Sequence, residues 1–182
     1  MSIVFNAVET AEELDLLAEL SDEIWHEYWP AIIGKEQTDY MVAKFQSLEA
    51  IKAGIAEQGY RYWLICDEEA ANPEGETLRA RMGAVGYTGG YTEKETNRFF
   101  ISKIYLLSDQ RGKGLCSKTI AFYEELCRAE SLRAMYLTVN KHNDLGIRAY
   151  KGKGFQTIED RVTDIGHDFV MDDYIMEKTV EA

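Results

Sequence analysis

The sequence predicts an α+β fold in which a mixed β-sheet carries helices on its faces. By the spacing of its apolar residues, the first third of the chain is mainly helical. The middle third contains strand-like runs that follow one another, and the last third alternates strands with helices. Strands that are first adjacent and then alternate with helices are typical of a mixed sheet. The 182 residues, 46% of them hydrophobic, suit one domain, residues 1–182, with a sizeable core.

The helical third follows a short predicted strand, Ile3–Val8. Thr10 and Glu13 have the spacing of a capping box, so we expect the first helix to begin there. Apolar residues then recur at three- and four-residue steps until Pro30 interrupts the pattern. Two further helices are predicted, with a glycine that ends the second: Lys35–Phe45, Ser47–Gln58 and Gly59.

Strand-like runs rich in aromatic and branched residues fill much of the remaining chain. The divider Asp67–Leu78 is acidic and contains turn residues, so it is predicted to be a hairpin loop. The predicted strands are Tyr60–Cys66, Arg79–Thr88, Asn97–Leu107, Ala134–Val139 and parts of Phe155–Asp164 and Phe169–Lys178. The predicted helices among them are Gly112–Ala129 and Asn143–Lys151.

Charge and composition exclude several classes of protein. The 32 acidic and 20 basic residues give a net charge of −12, which disfavours nucleic acid and favours cationic partners, although ordinary soluble proteins are often acidic too. No apolar run reaches the roughly 20 residues that span a bilayer, and no secretory leader is visible, so we expect a cytoplasmic protein without membrane association. The three cysteines lack metal-ligand spacing and are expected to be reduced.

The most informative segment runs from an apolar strand through a glycine-containing turn into an amphipathic helix, residues 104–118. A helix start leaves backbone N–H groups without partners, and Gly112 and Gly114 permit close approach to the backbone, so the segment is suited to phosphate. Arg111 and Lys113 add positive charge. A tight turn without a ligand is the alternative. The spacing fits neither GxGxxG nor a P-loop.

A second segment follows a predicted strand that ends at Asn140, with a short helix beginning near Asn143 and carrying Tyr150. A phenol at this position can donate a proton to a leaving group. The alternative is structural, since a helical tyrosine usually packs its ring and Asn143 could simply cap the helix.

Together the two segments resemble the signatures of the GNAT superfamily of N-acetyltransferases. The first signature is Gln or Arg, two residues, Gly, one residue, and Gly or Ala; here the matching positions hold Arg111, Gly114 and Cys116, and the cysteine departs from the pattern. The second signature is matched by Asn140, Asn143, Tyr150, Gly154 and Phe155. The resemblance implies a mixed, largely antiparallel sheet of about seven strands flanked by helices.

The resemblance also implies acetyl-CoA as the cosubstrate and no metal. The main chain of Ile104, Tyr105 and Leu106 would pair with the pantetheine arm. Asn143 and Tyr150 would complete the cofactor site. The pyrophosphate site would comprise Arg111, Gly112, Lys113, Gly114, Leu115, Cys116 and Ser117.

Acetyl transfer needs an oxyanion donor, a proton for the sulfur and a base for the amine. By resemblance, the backbone N–H of Leu106 is the donor and Tyr150 is the acid. The base, a carboxylate, a histidine or an ordered water, stays open; Glu93, Glu95 and Tyr105 are candidates, although glutamates at such positions are more often solvated turn residues.

The acceptor is predicted to be a small-molecule or peptide amine of unidentified structure. The resemblance places an aromatic cluster beside it, although such a cluster more often packs in a core. The predicted acceptor residues are Trp25, Tyr28, Trp29 and Tyr105. The nearby His26 and the turn residue His142 are assigned no catalytic role.

Two other functions remain open, namely a non-catalytic acyl-CoA-binding or protein-interaction module, and an enzyme that uses a longer acyl donor. Exposed strand edges near the C-terminal end make a homodimer possible.

Overall fold

A seven-stranded β-sheet forms the centre of the structure, a computed structural model that describes residues 1–181. The strands are β1 Ile3–Ala7, β2 Arg61–Asp67, β3 Ala84–Glu93, β4 Arg98–Leu106, β5 Ala134–Asn140, β6 Gln156–Gly166 and β7 Phe169–Thr179. The α-helices are α1 Ala11–Tyr28, α2 Pro30–Ile33, α3 Lys35–Met41, α4 Leu48–Gln58, α5 Leu78–Met82, α6 Leu115–Ala129 and α7 Asp144–Gly152. A π-helix, Val42–Gln46, continues α3, and a 3₁₀ turn, Ser108–Gln110, follows β4.

The strand order is β1-β2-β3-β4-β5-β7-β6. The pairs β1–β2, β2–β3, β5–β7 and β6–β7 are antiparallel, whereas β4 and β5 are parallel. The parallel pairing covers Arg98–Ile101 against Ala134–Leu137. The predicted α+β class with a mixed, largely antiparallel sheet of seven strands is therefore confirmed.

The chain divides into two compact units, of which the first comprises Met1–Gly90 and Lys103–Leu115. Its core forms where the apolar face of α1 packs on β2 and β3, with Leu17, Leu20, Leu64 and Tyr87 fully buried. Burying each leucine removes apolar surface from water and contributes about 2 kcal/mol. This packing fixes α1 on the sheet face that also carries Tyr105.

The second unit comprises Tyr91–Ser102 and residues 116–181. Five of the seven residues of β5 are buried, and Phe99 of β4 packs on Tyr123 of α6 with 5.0 Å between ring centroids. Arg98 links two strands of this unit by donating to Glu93 and Glu177, each at 2.8 Å. Whether the two units form one domain stays a prediction.

One predicted strand, Arg79–Thr88, is wrong in its first half. Leu78–Met82 is a short helix instead, because the Thr77 side chain caps its start by accepting from the Ala80 N–H and Gly83 ends it with φ +62°. The strand itself is Ala84–Glu93 and extends further than expected.

No helix in the part of the chain that the structure describes combines the length and the apolar character needed to cross a membrane.

Candidate active site

The turn that follows β4 leaves its glycine backbone exposed. Gly112 and Gly114 have φ of +76° and +83°, the left-handed region that favours glycine, and no other group lies within 4 Å of a Cβ built on either residue. Helix α6 begins directly afterwards at Leu115. The exposed backbone of this turn is therefore accessible to a ligand such as a phosphate, directly before the start of a helix.

Arg111, predicted to add positive charge beside this turn, is engaged by the protein. Its Nε donates to the Leu106 carbonyl at 3.1 Å, and its Nη2 donates to Glu27 Oε2 at 2.5 Å. The guanidinium carbon lies 4.7 Å from the centre of the Tyr28 ring. Lys113 is exposed and donates to Gln110. Lys113 thus remains at the surface of the turn, whereas Arg111 contacts α1 and β4.

The structure brings the four predicted acceptor residues into one cluster, which we call the aromatic wall: Trp25, Tyr28, Trp29 and Tyr105. The ring centroids are 5.2 Å apart for Trp25 and Trp29, 5.4 Å for Trp25 and Tyr105, and 5.3 Å for Tyr28 and Trp29. Burial raises the pKa of the Tyr28 phenol, and the neighbouring Arg111 partly opposes that effect. The wall joins the end of α1 to β4.

A buried polar cluster next to the wall was not predicted. The Ser21 hydroxyl lies 2.8 Å from the Tyr87 hydroxyl and donates to Gln46 Oε1 at 3.1 Å. Burial holds the pKa of the Tyr87 phenol well above its usual range. Tyr87 also contacts the wall, with its ring centroid 5.3 Å from that of Tyr105. The three residues come from separate elements, so no local sequence pattern reveals the cluster.

Lys103 is a second buried group that sequence reasoning missed. Only 6% of this residue is exposed, and its Nζ donates to the Phe45 carbonyl at 3.3 Å. Burial lowers the pKa of its ammonium group to about 7. A signal was available, because Lys103 continues the alternation of buried residues Phe99 and Ile101 along β4.

Strand β3 fixes the backbone at the end of β4. The Leu107 N–H donates to the Val85 carbonyl at 3.1 Å. A Cβ at Gly86 would lie 2.3 Å from the Tyr105 carbonyl oxygen, which shows how closely the two strands approach. The predicted oxyanion donor, the backbone N–H of Leu106, therefore belongs to a closely packed segment.

Four of the predicted cofactor-site residues lie in the second unit, namely Cys116, Ser117, Asn143 and Tyr150. Asn143 caps α7 by accepting from the Gly146 N–H at 3.0 Å. Tyr150 is half-buried on the same helix, with its ring edge-on to Phe155 at 5.9 Å. Cys116 is half-buried, and burial raises the pKa of its thiol. Asn143 caps its helix and Tyr150 packs its ring, as the structural alternative also expects, and the catalytic role of Tyr150 stays a prediction.

The other ionisable candidates occupy different surroundings. Glu95 and His142 are exposed, as expected. Glu93 is not a solvated turn residue: it ends β3, accepts from Arg98, Thr96 and Tyr136, and these hydrogen bonds lower its pKa. His26 lies at the helix surface and pairs with Asp22 and Asp39, both at 3.2 Å.

A seven-stranded mixed sheet in which a glycine turn leads from β4 to α6 is the architecture that the resemblance to the GNAT superfamily implies. The family model described as "Acetyltransferase (GNAT) family" matches residues 19–155, and the chain belongs to this family of acetyltransferases. Among curated proteins, no sequence matches the chain.

Solved structures with the same fold cover nearly the whole chain. The PaiA N-acetyltransferase of Thermoplasma acidophilum, in complex with coenzyme A, is 20% identical over 98% of this chain and 99% of its own, with a TM-score of 0.75. A GNAT-family acetyltransferase from Staphylococcus aureus Mu50 is 14% identical over 99% and 100%, with a TM-score of 0.67. Mutant forms of the spermidine/spermine N-acetyltransferase SpeG from Vibrio cholerae are 16% identical over 97% and 93%, with a TM-score of 0.66.

Proposed function

We propose that the protein transfers the acetyl group of acetyl-CoA to a primary amine by direct attack. The observation that carries the proposal is the exposed glycine turn, Gly112–Gly114, which leads from β4 into the start of α6. Membership of the acetyltransferase family supports the reaction type. The structurally similar PaiA N-acetyltransferase was solved in complex with coenzyme A.

Backbone groups supply most of the proposed cofactor contacts. The main chain of Ile104–Leu106 pairs with the pantetheine arm, and residues 112–117 bind the pyrophosphate through the N–H groups of the turn and helix start. Acetyl-CoA supplies an activated thioester carbonyl. Asn143 orders the start of α7, the helix that carries Tyr150.

An oxyanion donor, an acid and a base take part in the transfer. The Leu106 N–H donates to the carbonyl oxygen as negative charge develops there, and the Tyr150 hydroxyl donates its proton to the departing sulfur. A carboxylate, a basic side chain or water takes the proton that the amine loses. The reaction requires neither a metal ion nor an acyl-enzyme, so the half-buried Cys116 needs no nucleophilic role.

A small cationic amine is the proposed acceptor. The net charge of −12 attracts cations at long range. Aromatic rings also bind ammonium groups favourably. The spermidine/spermine N-acetyltransferase among the neighbouring folds supports this class of acceptor.

The proposal is tested by calorimetric titration of acetyl-CoA into the wild type and Tyr150→Phe, followed by measurement of thiol release with a panel of amines. We expect both proteins to bind, and Tyr150→Phe to lose at least about tenfold in turnover because the sulfur lacks its acid. Tyr91→Phe, a half-buried tyrosine beside Phe100, is the matched control and should keep wild-type turnover.

Wild-type binding without turnover on any amine would favour a non-catalytic module. Turnover only with longer acyl donors would change the donor. Absence of binding at millimolar acetyl-CoA would contradict the coenzyme site itself.

We also propose that two copies associate through the C-terminal edge of the sheet. Strand β6 is the last strand of the order, and Gln156–Asp164 is exposed along its whole length. Ile158 and Val162 are 51% and 62% exposed on this strand. A long edge strand with exposed apolar side chains favours pairing with another chain.

A further inference from the structure

A closed ring of contacts connects the end of β4 with the end of α1. It starts at the Leu106 carbonyl, which accepts from Arg111, and it continues from the adjacent Tyr105 to Trp25. From Trp25 it passes through Trp29 to Tyr28, whose ring lies under the Arg111 guanidinium. The ring therefore includes the whole aromatic wall and Leu106, the residue proposed to stabilise the oxyanion.

Arg111 makes three different contacts at once. Its Nε donates to a carbonyl, its Nη2 donates to the Glu27 carboxylate, and its guanidinium carbon lies 4.7 Å from the centre of the Tyr28 ring. The side chain is 24% exposed. Because Glu27 neutralises its charge at short range, Arg111 is poorly suited to attract a pyrophosphate.

We propose that Arg111 is a positioning residue, which fixes Leu106 and links it to the aromatic wall, and that it is not a ligand of the pyrophosphate. The inference rests on the proposed function for its kinetic consequences. The contacts on which the inference is based all lie within the first compact unit.

The peptide between Leu106 and Leu107 shows how the positioning works. Arg111 holds its carbonyl at 3.1 Å, and Val85 holds its N–H, also at 3.1 Å. With both polar ends fixed, this peptide restrains the backbone of Leu106, whose own N–H is the proposed donor. A preorganised donor stabilises developing charge without reorganisation, and a small displacement weakens that effect strongly.

Arginine and lysine separate the two roles. A phosphate ligand needs mainly positive charge, which lysine also provides. The positioning role needs a planar fork that donates in two directions while it stacks on a ring, and lysine lacks this geometry. Arg111→Lys therefore retains the positive charge and removes the geometry that the positioning role requires.

The experiment compares Arg111→Lys, Arg111→Gln and Glu27→Gln with the wild type. Coenzyme A affinity is measured by calorimetry. Tryptophan emission is recorded in the absence of ligand, and kcat and KM are determined for an amine that the wild type acetylates. Glu23→Gln is the matched control, because Glu23 lies one turn earlier on α1 and pairs with Arg79 at 2.7 Å instead.

We expect Arg111→Lys and Glu27→Gln to bind coenzyme A within about threefold of the wild type and to lose about tenfold or more in kcat. Their unliganded tryptophan emission should shift in the same direction, since Trp25 and Trp29 belong to the ring. Glu23→Gln should match the wild type in every measurement.

The opposite pattern overturns the inference. In that pattern, Arg111→Lys and Glu27→Gln keep the wild-type kcat. Arg111→Gln then loses at least about tenfold in coenzyme A affinity, because the pyrophosphate has lost a charged hydrogen bond. If the wild type acetylates no amine, the proposed function fails separately. The tryptophan emission then decides this inference, and unchanged emission in Arg111→Lys overturns it.

Discussion

Lys103 is a charged residue inside the first compact unit, where its hydrogen bond goes to a main-chain carbonyl. Phe45, which supplies that carbonyl, lies near the end of the π-helix that continues α3. Within residues 1–181, Lys103 has no carboxylate within ion-pair distance. A buried ammonium group without an anion is costly, which is why burial lowers its pKa to about 7.

This lowered pKa predicts how stability depends on pH. Between about pH 7 and the ordinary lysine value, the unfolded chain binds a proton that the folded chain has released. The free-energy cost of burying the charged ammonium group is therefore fully present below about pH 7, and it decreases as the pH rises. We expect the wild type to gain about 2 kcal/mol relative to Lys103→Met between pH 7 and about pH 9.

Urea unfolding of both proteins at the two pH values measures the difference. Lys52→Met, which removes an exposed lysine from α4, is the control and should show no such change relative to the wild type. An equal pH dependence for Lys103→Met and the wild type would contradict the lowered pKa.

Single residues also show what sequence can and cannot reveal. Three residues of the aromatic wall, Trp25, Tyr28 and Trp29, are neighbours in the sequence, so helical spacing brings them together, whereas Tyr105 comes from β4. The pair of Arg111 and Glu27 joins residues 84 positions apart. No periodicity or local motif contains that information, since the contact exists only once α1 and the end of β4 have packed.

At the scale of elements, the approach of β3 to β4 depends on the absence of a side chain at Gly86. A methyl group there would meet the Tyr105 carbonyl oxygen and the Leu106 backbone, neither of which can move freely. We expect Gly86→Ala to lower the free energy of unfolding by about 1–3 kcal/mol and to reduce turnover by displacing Leu106.

Denaturant unfolding and thiol-release kinetics measure these two effects. Gly152→Ala is the control, because no neighbouring group lies within 4 Å of a Cβ at that position. Wild-type stability in Gly86→Ala would show that the strands separate more easily than their packing indicates.

Local chemistry predicts elements well where one residue sets a boundary. The capping box of Thr10 and Glu13 is confirmed by reciprocal hydrogen bonds, and Gly59 ends α4 with φ +71°. Helix α5 was missed because Leu78–Met82 is too short to show a period, although Thr77 offered a capping signal. The π-helix has no sequence signature of its own.

At the scale of the whole molecule, the exposed edge strand β6 predicts self-association. Val162 is 62% exposed, and a lysine there would place a charge on the proposed edge. We expect the wild type to sediment as a dimer and Val162→Lys to shift towards the monomer by at least about tenfold in dissociation constant.

Sedimentation equilibrium over a range of concentrations measures this shift. Lys52→Met, on α4, is the control and should leave the dissociation constant unchanged. A wild type that remains monomeric at high concentration would contradict pairing through β6.

The three cysteines have a practical consequence for measuring the reaction. Cys66 and Cys127 are buried, and burial raises the pKa of the Cys66 and Cys116 thiols, so both are held in their unreactive protonated form. An aromatic disulfide reagent, which develops colour when it reacts with a free thiol, should therefore react mainly with the coenzyme A that turnover releases. Progress can be followed continuously, with little background from the protein itself.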